Sequence, residues 1–298
     1  MTARGCVLVL ALALALVVMA SGLARADDEP AREDTKARDR RLAPRNDTVF
    51  VSISQLHDDE LASRDQRVSI GAPVLRGDRY GAGLFLRYQT TWIDSDRFLA
   101  RGLVVHRFDV MLGGGGQLTP GWLIRGGLGA TYASDLHQSS PAFEAVHSTA
   151  AVIVRHVIGP GDAWLAGIAY ASSSNLYPIL PILGYVHERP GSPFRIDVQL
   201  PHHLRVEYRF TGTLNAAFGL EAHGDVWLVA GMHRDLDARR NGGAVFGELG
   251  VAAYGPVELE LRLGVAIDSY TLPSVMTDTT IDLPLRPSSF GQLLVVVR

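Results

Sequence analysis

Residues 257–268 read VELELRLGVAID, and every odd position (Val257, Leu259, Leu261, Leu263, Val265, Ile267) is a large apolar side chain. The even positions hold Glu258, Glu260, Arg262, Gly264, Ala266 and Asp268. A strand sends successive side chains to opposite faces, so this segment is two-faced as a strand and unsorted as a helix. Residues 194–210 repeat the pattern. Phe194, Ile196, Val198, Leu200, Leu204, Val206, Tyr208 and Phe210 share one parity, and Arg195, Asp197, Gln199, Arg205, Glu207 and Arg209 share the other. At 103–112, His106, Phe108, Val110 and Leu112 oppose Arg107 and Asp109, and weaker alternation runs through 148–158, 162–170 and 244–254. No amphipathic helix interrupts these strands.

A soluble sandwich and a membrane barrel both alternate, and the connections separate them. Short turns fall at Thr119-Pro120-Gly121, Gly159-Pro160-Gly161-Asp162, Pro190-Gly191-Ser192 and Gly255-Pro256, all rich in residues that preset turn dihedrals. Between them lie polar stretches at 134–147, 171–177, 234–243 and 269–289, which read as long loops. Short turns on one rim and long loops on the other are the layout of an outer-membrane barrel. Trp92, Trp122, Trp164, Trp227 and Tyr254 all sit within a few residues of a connection, where rings at the headgroup level form two girdles.

Hydrocarbon offers no partner for a backbone amide, so a strand-built spanning structure must close on itself. Closure turns the apolar faces toward lipid and the charged faces into the lumen. The expected lumen lining is Arg107, Asp109, Arg195, Asp197, Arg205, Glu207, Arg209, Glu248, Glu258, Glu260, Arg262 and Asp268, six bases and six acids, a balance that predicts no strong ion selectivity.

Segments between connections lie near 48–56, 66–75, 79–93, 101–118, 121–133, 148–159, 162–172, 178–189, 193–200, 202–211, 213–232, 243–254, 256–271 and 290–298. That is an all-β, antiparallel, up-and-down transmembrane barrel of 14 strands. Two places leave the count open, since Pro201 is readable as a bend instead of a hairpin and Gly224 as a hairpin instead of a bulge; twelve strands is the alternative. No repeat of propeller or solenoid period is visible.

The N-terminus reads as an address. Arg4 precedes an apolar run from Val7 to Ala20, and Ala24-Arg25-Ala26 supplies the small residues of a cleavage site before Asp27. The run is shorter than the roughly 20 residues of a spanning helix. Residues 1–26 are therefore expected to be a removed signal peptide, 27–47 a disordered leader with seven acids and six bases, and 48–298 the barrel. The expected destination is the bacterial outer membrane.

Composition excludes several classes of function. Across 298 residues, 47% are hydrophobic and 20% charged, with a net charge of −3, which is no nucleic-acid footprint. The one cysteine, Cys6, lies in the signal segment, so disulfide, thiol and cysteine-zinc chemistry are not expected of the barrel.

Within 178–265, Pro181-Ile182-Leu183-Gly184-Tyr185, then Phe194-Arg195-Ile196-Asp197-Val198 running into Leu200-Pro201, then Leu204-Arg205-Val206-Glu207-Tyr208 and Gly247-Glu248-Leu249-Gly250, resemble a family of uncharacterised bacterial outer-membrane β-barrels, a domain of unknown function. The resemblance covers about a third of the chain. It implies an outer-membrane barrel and supplies no activity, ligand or catalytic residue.

A search for chemistry finds little. Gly113-Gly114-Gly115-Gly116 has no following Lys-Ser/Thr and is not a phosphate loop; it reads as a bend or a smooth wall in a strand. Among the ten histidines, His202 and His203 point to opposite faces of a strand and cannot both hold one ion, so no metal site is expected. His147 and Ser148 are likewise adjacent and opposed, with no acid placed to orient the imidazole, and no Gly-x-Ser-x-Gly elbow occurs. The sequence reading is a non-enzymatic, cofactor-free envelope barrel in contact with outer-membrane lipid, either a small-solute or hydrophobic-ligand pore or a closed structural barrel. The competing readings are a barrel-embedded lipid-modifying hydrolase and a soluble periplasmic ligand-binding barrel.

Overall fold

The computed structural model describes residues 49–57, 62–77, 79–94, 102–137, 142–173, 178–230, 235–254, 257–273 and 279–297. The expected signal and leader lie outside these residues. Fourteen strands follow in order: β1 (Val49–His57), β2 (Ala62–Arg76), β3 (Tyr80–Asp94), β4 (Leu103–Thr119), β5 (Trp122–Ser134), β6 (Val146–Gly159), β7 (Asp162–Ala171), β8 (Ile179–His187), β9 (Phe194–Leu200), β10 (His203–Arg209), β11 (Leu214–Val229), β12 (Leu236–Tyr254), β13 (Val257–Pro273) and β14 (Thr280–Val297). Each pairs antiparallel with its sequence neighbours, and β1 pairs with β14 from Val49↔Val297 to His57↔Ser289, which closes the ring. A short 3₁₀ turn, Ala142–Ala145, precedes β6.

Both open questions of strand number resolve toward 14. Residues 201–202 turn between β9 and β10, with Leu204 opposite Val198, so Pro201 marks a hairpin. Gly224 pairs with Asn241 inside an unbroken β11. At the tight turns after β4 and β6, Gly121 and Gly161 have φ of 82° and 91°, a region that side chains with a Cβ rarely enter.

The direction of the faces decides the environment. Along β13, Leu259, Leu261, Leu263, Val265 and Ile267 are exposed on the outside, with Leu263 at 59%, whereas Glu258, Glu260 and Asp268 are buried inside. Across the barrel, Leu128, Val152, Ile168, Leu183, Phe218 and Leu249 are likewise outward and exposed. A water-soluble barrel that buries its apolar faces has the reverse arrangement, so the soluble reading is corrected. A belt of exposed aliphatic side chains around a closed ladder with an ionic interior is the architecture of an outer-membrane barrel. Leu263→Arg is expected to cost about 2–4 kcal/mol by placing a guanidinium in mid-bilayer. Asn241→Arg, outward on β12 but near the loop end, is expected to cost about 0.5 kcal/mol or less. Equilibrium urea unfolding into and out of lipid vesicles measures both.

The two long loops expected at 234–243 and 269–289 are mostly strand. Arg239 pairs with Thr271 and Asn241 with Ser269, while Tyr270 pairs with Leu283 and Leu272 with Ile281. Here the alternation inverts. Asp237, Asn241 and Asp282 are exposed, and Leu236, Ala238, Tyr270 and Leu272 are buried inside. Strands that rise beyond lipid meet water outside, so their outer face is polar and their inner face is free to pack a core. That is why these segments lack the pattern of the lower barrel.

Candidate functional site: the lumen and its closure

The lumen of the lower barrel has two unlike walls. From β9 to β13, inward positions carry a continuous ionic network. Arg205 bonds Glu207 at 2.7 Å and also Glu248, and Arg262 Nε donates to Glu248 at 2.8 Å. Arg209 bridges Glu207 and Glu188, both at 2.9 Å. Arg195 lies 3.6 Å from Asp197, whose other oxygen faces His203 at 3.1 Å. Asn215 donates to Glu258 at 3.0 Å, and Arg262 lies 3.4 Å from Glu260. The network forms because each strand has the same inward parity and the register sets Arg205 opposite Asp197, Glu207 opposite Arg195, and Glu248 opposite Arg262. Opposite charges on facing or diagonal positions of one face are the sheet's own way to satisfy a desolvated interior.

From β5 to β8 the inward positions are mostly small or apolar, among them Gly127, Ile153, Leu165, Gly167 and Leu180, with Thr131, Thr149 and His147 toward the loop end and Arg125 and Arg155 as the two guanidinium groups. The glycine run lies within β4 and pairs on both sides. A Cβ on Gly115 would run into the Ile124 carbonyl oxygen and meet the Arg125 Cγ at 2.8 Å, so this glycine lets β4 and β5 approach closely with the Arg125 side chain lying over it.

Above the network, side chains cross the lumen. Arg107 on β4 bonds Asp109 at 3.0 Å and reaches Asp225 on β11 at 2.5 Å. β4 and β11 stand seven places apart in the ring of 14, diametrically opposite. Arg240 joins Asp268 at 2.8 Å to Asp65 at 2.9 Å, and His223 holds the other Asp268 oxygen at 2.6 Å. Thr91 and Gln89 complete the layer through Asp65.

One step further the backbone itself crosses. Leu228 of β11 pairs with Ser134 of β5, the Asp135 amide donates to the Leu228 carbonyl at 3.1 Å, and the Asp135 carboxylate accepts from the Ala230 amide at 3.0 Å. The upper barrel is thereby narrowed to the nine strands β11–β14 and β1–β5. Its interior is packed by Ile93, Val105, Ala133, Trp227, Val229, Ala238, Tyr270 and Leu272. These side chains pack against one another inside the narrowed ring.

All twelve expected lumen charges face inward, and eleven of them take part in the ion pairs above; Glu258 is held by Asn215. Of the expected interface rings, Trp122 and Trp164 are outward and exposed, and Trp92 is outward beneath the Arg64 guanidinium at 6.0 Å. Trp227 is a correction: it is 0% exposed and sits at the centre of the plug, because its odd parity on β11 matches Asp225 and not the lipid face. The side chain of Tyr254 lies outside the described residues.

Two outward clusters went unrecognised in the sequence. Tyr88 and His106 share a hydrogen bond at 2.9 Å and Thr90 donates to Tyr88 at 2.8 Å, near the loop end. Near the turn end, Asp162 accepts from Tyr185 at 2.6 Å and from Arg189 at 3.1 Å and pairs with His187 at 2.7 Å, while Trp164 packs on Tyr185 and Trp122 stacks on His156 at 4.2 Å. Amphipathic rings with a polar tip at both rims are the girdles of a membrane barrel. The signal for them is cross-strand pairing, which no single strand contains.

His147 faces the lumen and Ser148 faces outward, where its amide bonds the Ser172 hydroxyl at 2.7 Å. Among the described residues no cluster of three His, Cys, Asp or Glu side chains is arranged to hold a metal ion.

No family model matches the chain, and no curated protein matches it. Among solved structures it is similar to a KdgM porin at 8% identity, covering 84% of this chain and 98% of that one with a TM-score of 0.37. It is also similar to outer membrane phospholipase A from Escherichia coli at 9% identity, 84% and 96% coverage and a TM-score of 0.38. LpxR from Salmonella typhimurium superposes at 8% identity, 83% and 99% coverage and a TM-score of 0.35. These superpositions are loose, and the barrel is defined by its own strand ladder.

Proposed function

We propose that this chain is a non-enzymatic outer-membrane barrel that is sealed against axial flow at rest, a closed barrel instead of an open solute pore. The observation that carries this reading is the pairing of β11 with β5 across the lumen, packed from within by Trp227 and its apolar neighbours. A conducting pore keeps a wet path, and an interior that buries tryptophan, tyrosine and leucine beneath a cross-lumen backbone contact excludes one. The interleaved ionic network below the plug acts as internal scaffolding, since its guanidinium groups are engaged by carboxylates on the same wall.

Purified protein in a planar lipid bilayer is expected to give no stepwise current. Reproducible conductance steps from the unaltered chain would overturn the proposal. The non-enzymatic part rests on geometry at the adjacent His147 and Ser148. Ser148 and His147 lie on opposite faces of β6, so the imidazole cannot take the hydroxyl proton. Phospholipid vesicles incubated with the barrel are expected to stay intact, with Ser148→Ala indistinguishable from the unaltered chain. Hydrolysis that disappears in Ser148→Ala would make the protein a lipid hydrolase.

A further inference from the structure

The barrel wall is far lower on one side than on the other. β9 and β10 have seven residues each, whereas β12, β13 and β14 have 19, 17 and 18. Seven residues rising ~3.3 Å each and tilted ~40° cover roughly 17 Å of the membrane normal, against an apolar band ~25 Å tall. The turn at 201–202 therefore stops inside the bilayer, about a third of the way short of the outer interface.

The neighbours of this short hairpin continue past it without partners. β8 pairs with β9 only from Leu183 to His187, so Ile179–Ile182 project beyond it. β11 pairs with β10 only from Asn215 to Glu221. Above that, the Ala222 amide donates to the His202 carbonyl, and the next contact on the same edge is Asp135 to Leu228. By period two, Gly224 and Val226 present their backbone groups to this edge, where among the described residues no strand meets them. The result is a notch in the wall between β8 and β11, at lipid level, directly below the sealed mouth.

We propose that this notch is a lateral portal through which the alkyl chain of an anionic amphiphile passes between the bilayer and the lumen. Two features of the lumen select that ligand. The wall reached through the notch is the small and apolar one, β6 to β8, with Ile153, Leu165 and Leu180 facing inward. The charges on β5–β8 that face the lumen from this side, Arg125 and Arg155, are cationic, and the one acid of these four strands, Asp162, is engaged outward at the rim by Tyr185 and His187. Glu188 and Asp197, which stand beside Arg155 on the next elements, are taken up by Arg195, Arg209 and His203. An alkyl chain lies against the apolar wall, and its carboxylate or phosphate head meets the two guanidinium groups. The idea deepens the sealed-barrel reading, since a lumen shut at its mouth is reached from the side.

Lipid contact is read by fluorescence quenching in bilayers of phosphatidylcholine with brominated acyl chains. The background carries Trp92→Phe, Trp122→Phe, Trp164→Phe and Trp227→Phe, with heat-dependent gel mobility as the check of folding. In this background Leu180→Trp is expected to lose most of its emission although it faces inward, as much as a chain retaining only the outward Trp164. Phe290→Trp, inward on the far wall, is expected to keep its emission. An unquenched Leu180→Trp overturns the portal. In non-brominated bilayers, a brominated long-chain carboxylate and a brominated alkyl phosphate are then compared with the matching alcohol. Preferential quenching of Leu180→Trp by either anion, lost in Arg125→Gln/Arg155→Gln, is the expected result, and the stronger anion identifies the head. Equal quenching by the alcohol overturns the anionic assignment. Conductance of the unaltered chain, which keeps Trp227, tests the seal separately: current steps from it together with a quenched Leu180→Trp would sink the closed barrel and leave the portal standing.

Discussion

Trp227→Ala is expected to convert a silent barrel into one that passes current. The indole is fully buried among Ile93, Val105, Tyr270 and Leu272, and its removal leaves a cavity that the surrounding strands cannot collapse to fill. Truncating a buried tryptophan typically costs about 3–5 kcal/mol. That loss falls on a local closure, because the 14-strand ladder does not pass through the plug. The contact it supports is small: Leu228 against Ser134, and Asp135 holding the Leu228 carbonyl and the Ala230 amide. The altered chain should therefore show stepwise conductance and faster amide exchange across residues 224–229, with little change in the thermal transition of the whole barrel. Current that stays flat, with exchange unaltered, would mean that the plug does not hold the mouth.

The second large effect is expected at Glu248→Ala. This carboxylate is completely enclosed and takes Arg205 on one oxygen and Arg262 on the other. Deleting one partner of a buried ionic group leaves the rest charged and desolvated, at a cost of about 3–5 kcal/mol. Arg205 keeps Glu207 and Arg262 keeps Glu260, so the network is weakened at its centre without being dispersed. Glu248→Gln, which preserves shape and two acceptor directions at most in part, should fall between the two. Urea unfolding in lipid vesicles measures the series. Arg239→Ala, which breaks an exposed pair with Asp237, should change stability by less than about 1 kcal/mol. If Glu248→Ala behaves like Arg239→Ala, the lumenal network contributes nothing as a unit.

Much of this molecule was readable strand by strand. Alternation at 194–210 and 257–268 identified which side chains face lipid, and the same parity placed Arg205, Glu207, Glu258 and Arg262 in the lumen. Tight turns at 119–121 and 159–162 marked one rim. Position 201 was ambiguous because Leu200 and Leu204 keep the same parity on either side of the turn, so a bend and a hairpin write the same pattern. Trp227 was misplaced because a ring near a connection fits a girdle equally well from outside or inside. The stretches 236–242 and 280–286 read as loops since a strand standing in water has no need of an apolar outer face.

What the chain alone determined is the period-two alternation, and with it a closed antiparallel barrel with an apolar outside and an ionic inside: side-chain direction in a strand is a local property, and unpaired amides in hydrocarbon are too costly to leave. What only the folded barrel decided is how tall each part of the wall stands and where the opposite sides touch. Register between neighbours sets the first, making β9 and β10 low and β12 to β14 high. The second depends on positions far apart in sequence, Arg107 with Asp225 and Ser134 with Leu228, brought together by ring closure. No local pattern encodes a contact across a diameter, so the plug, and with it the reading of a sealed barrel, came from the tertiary structure.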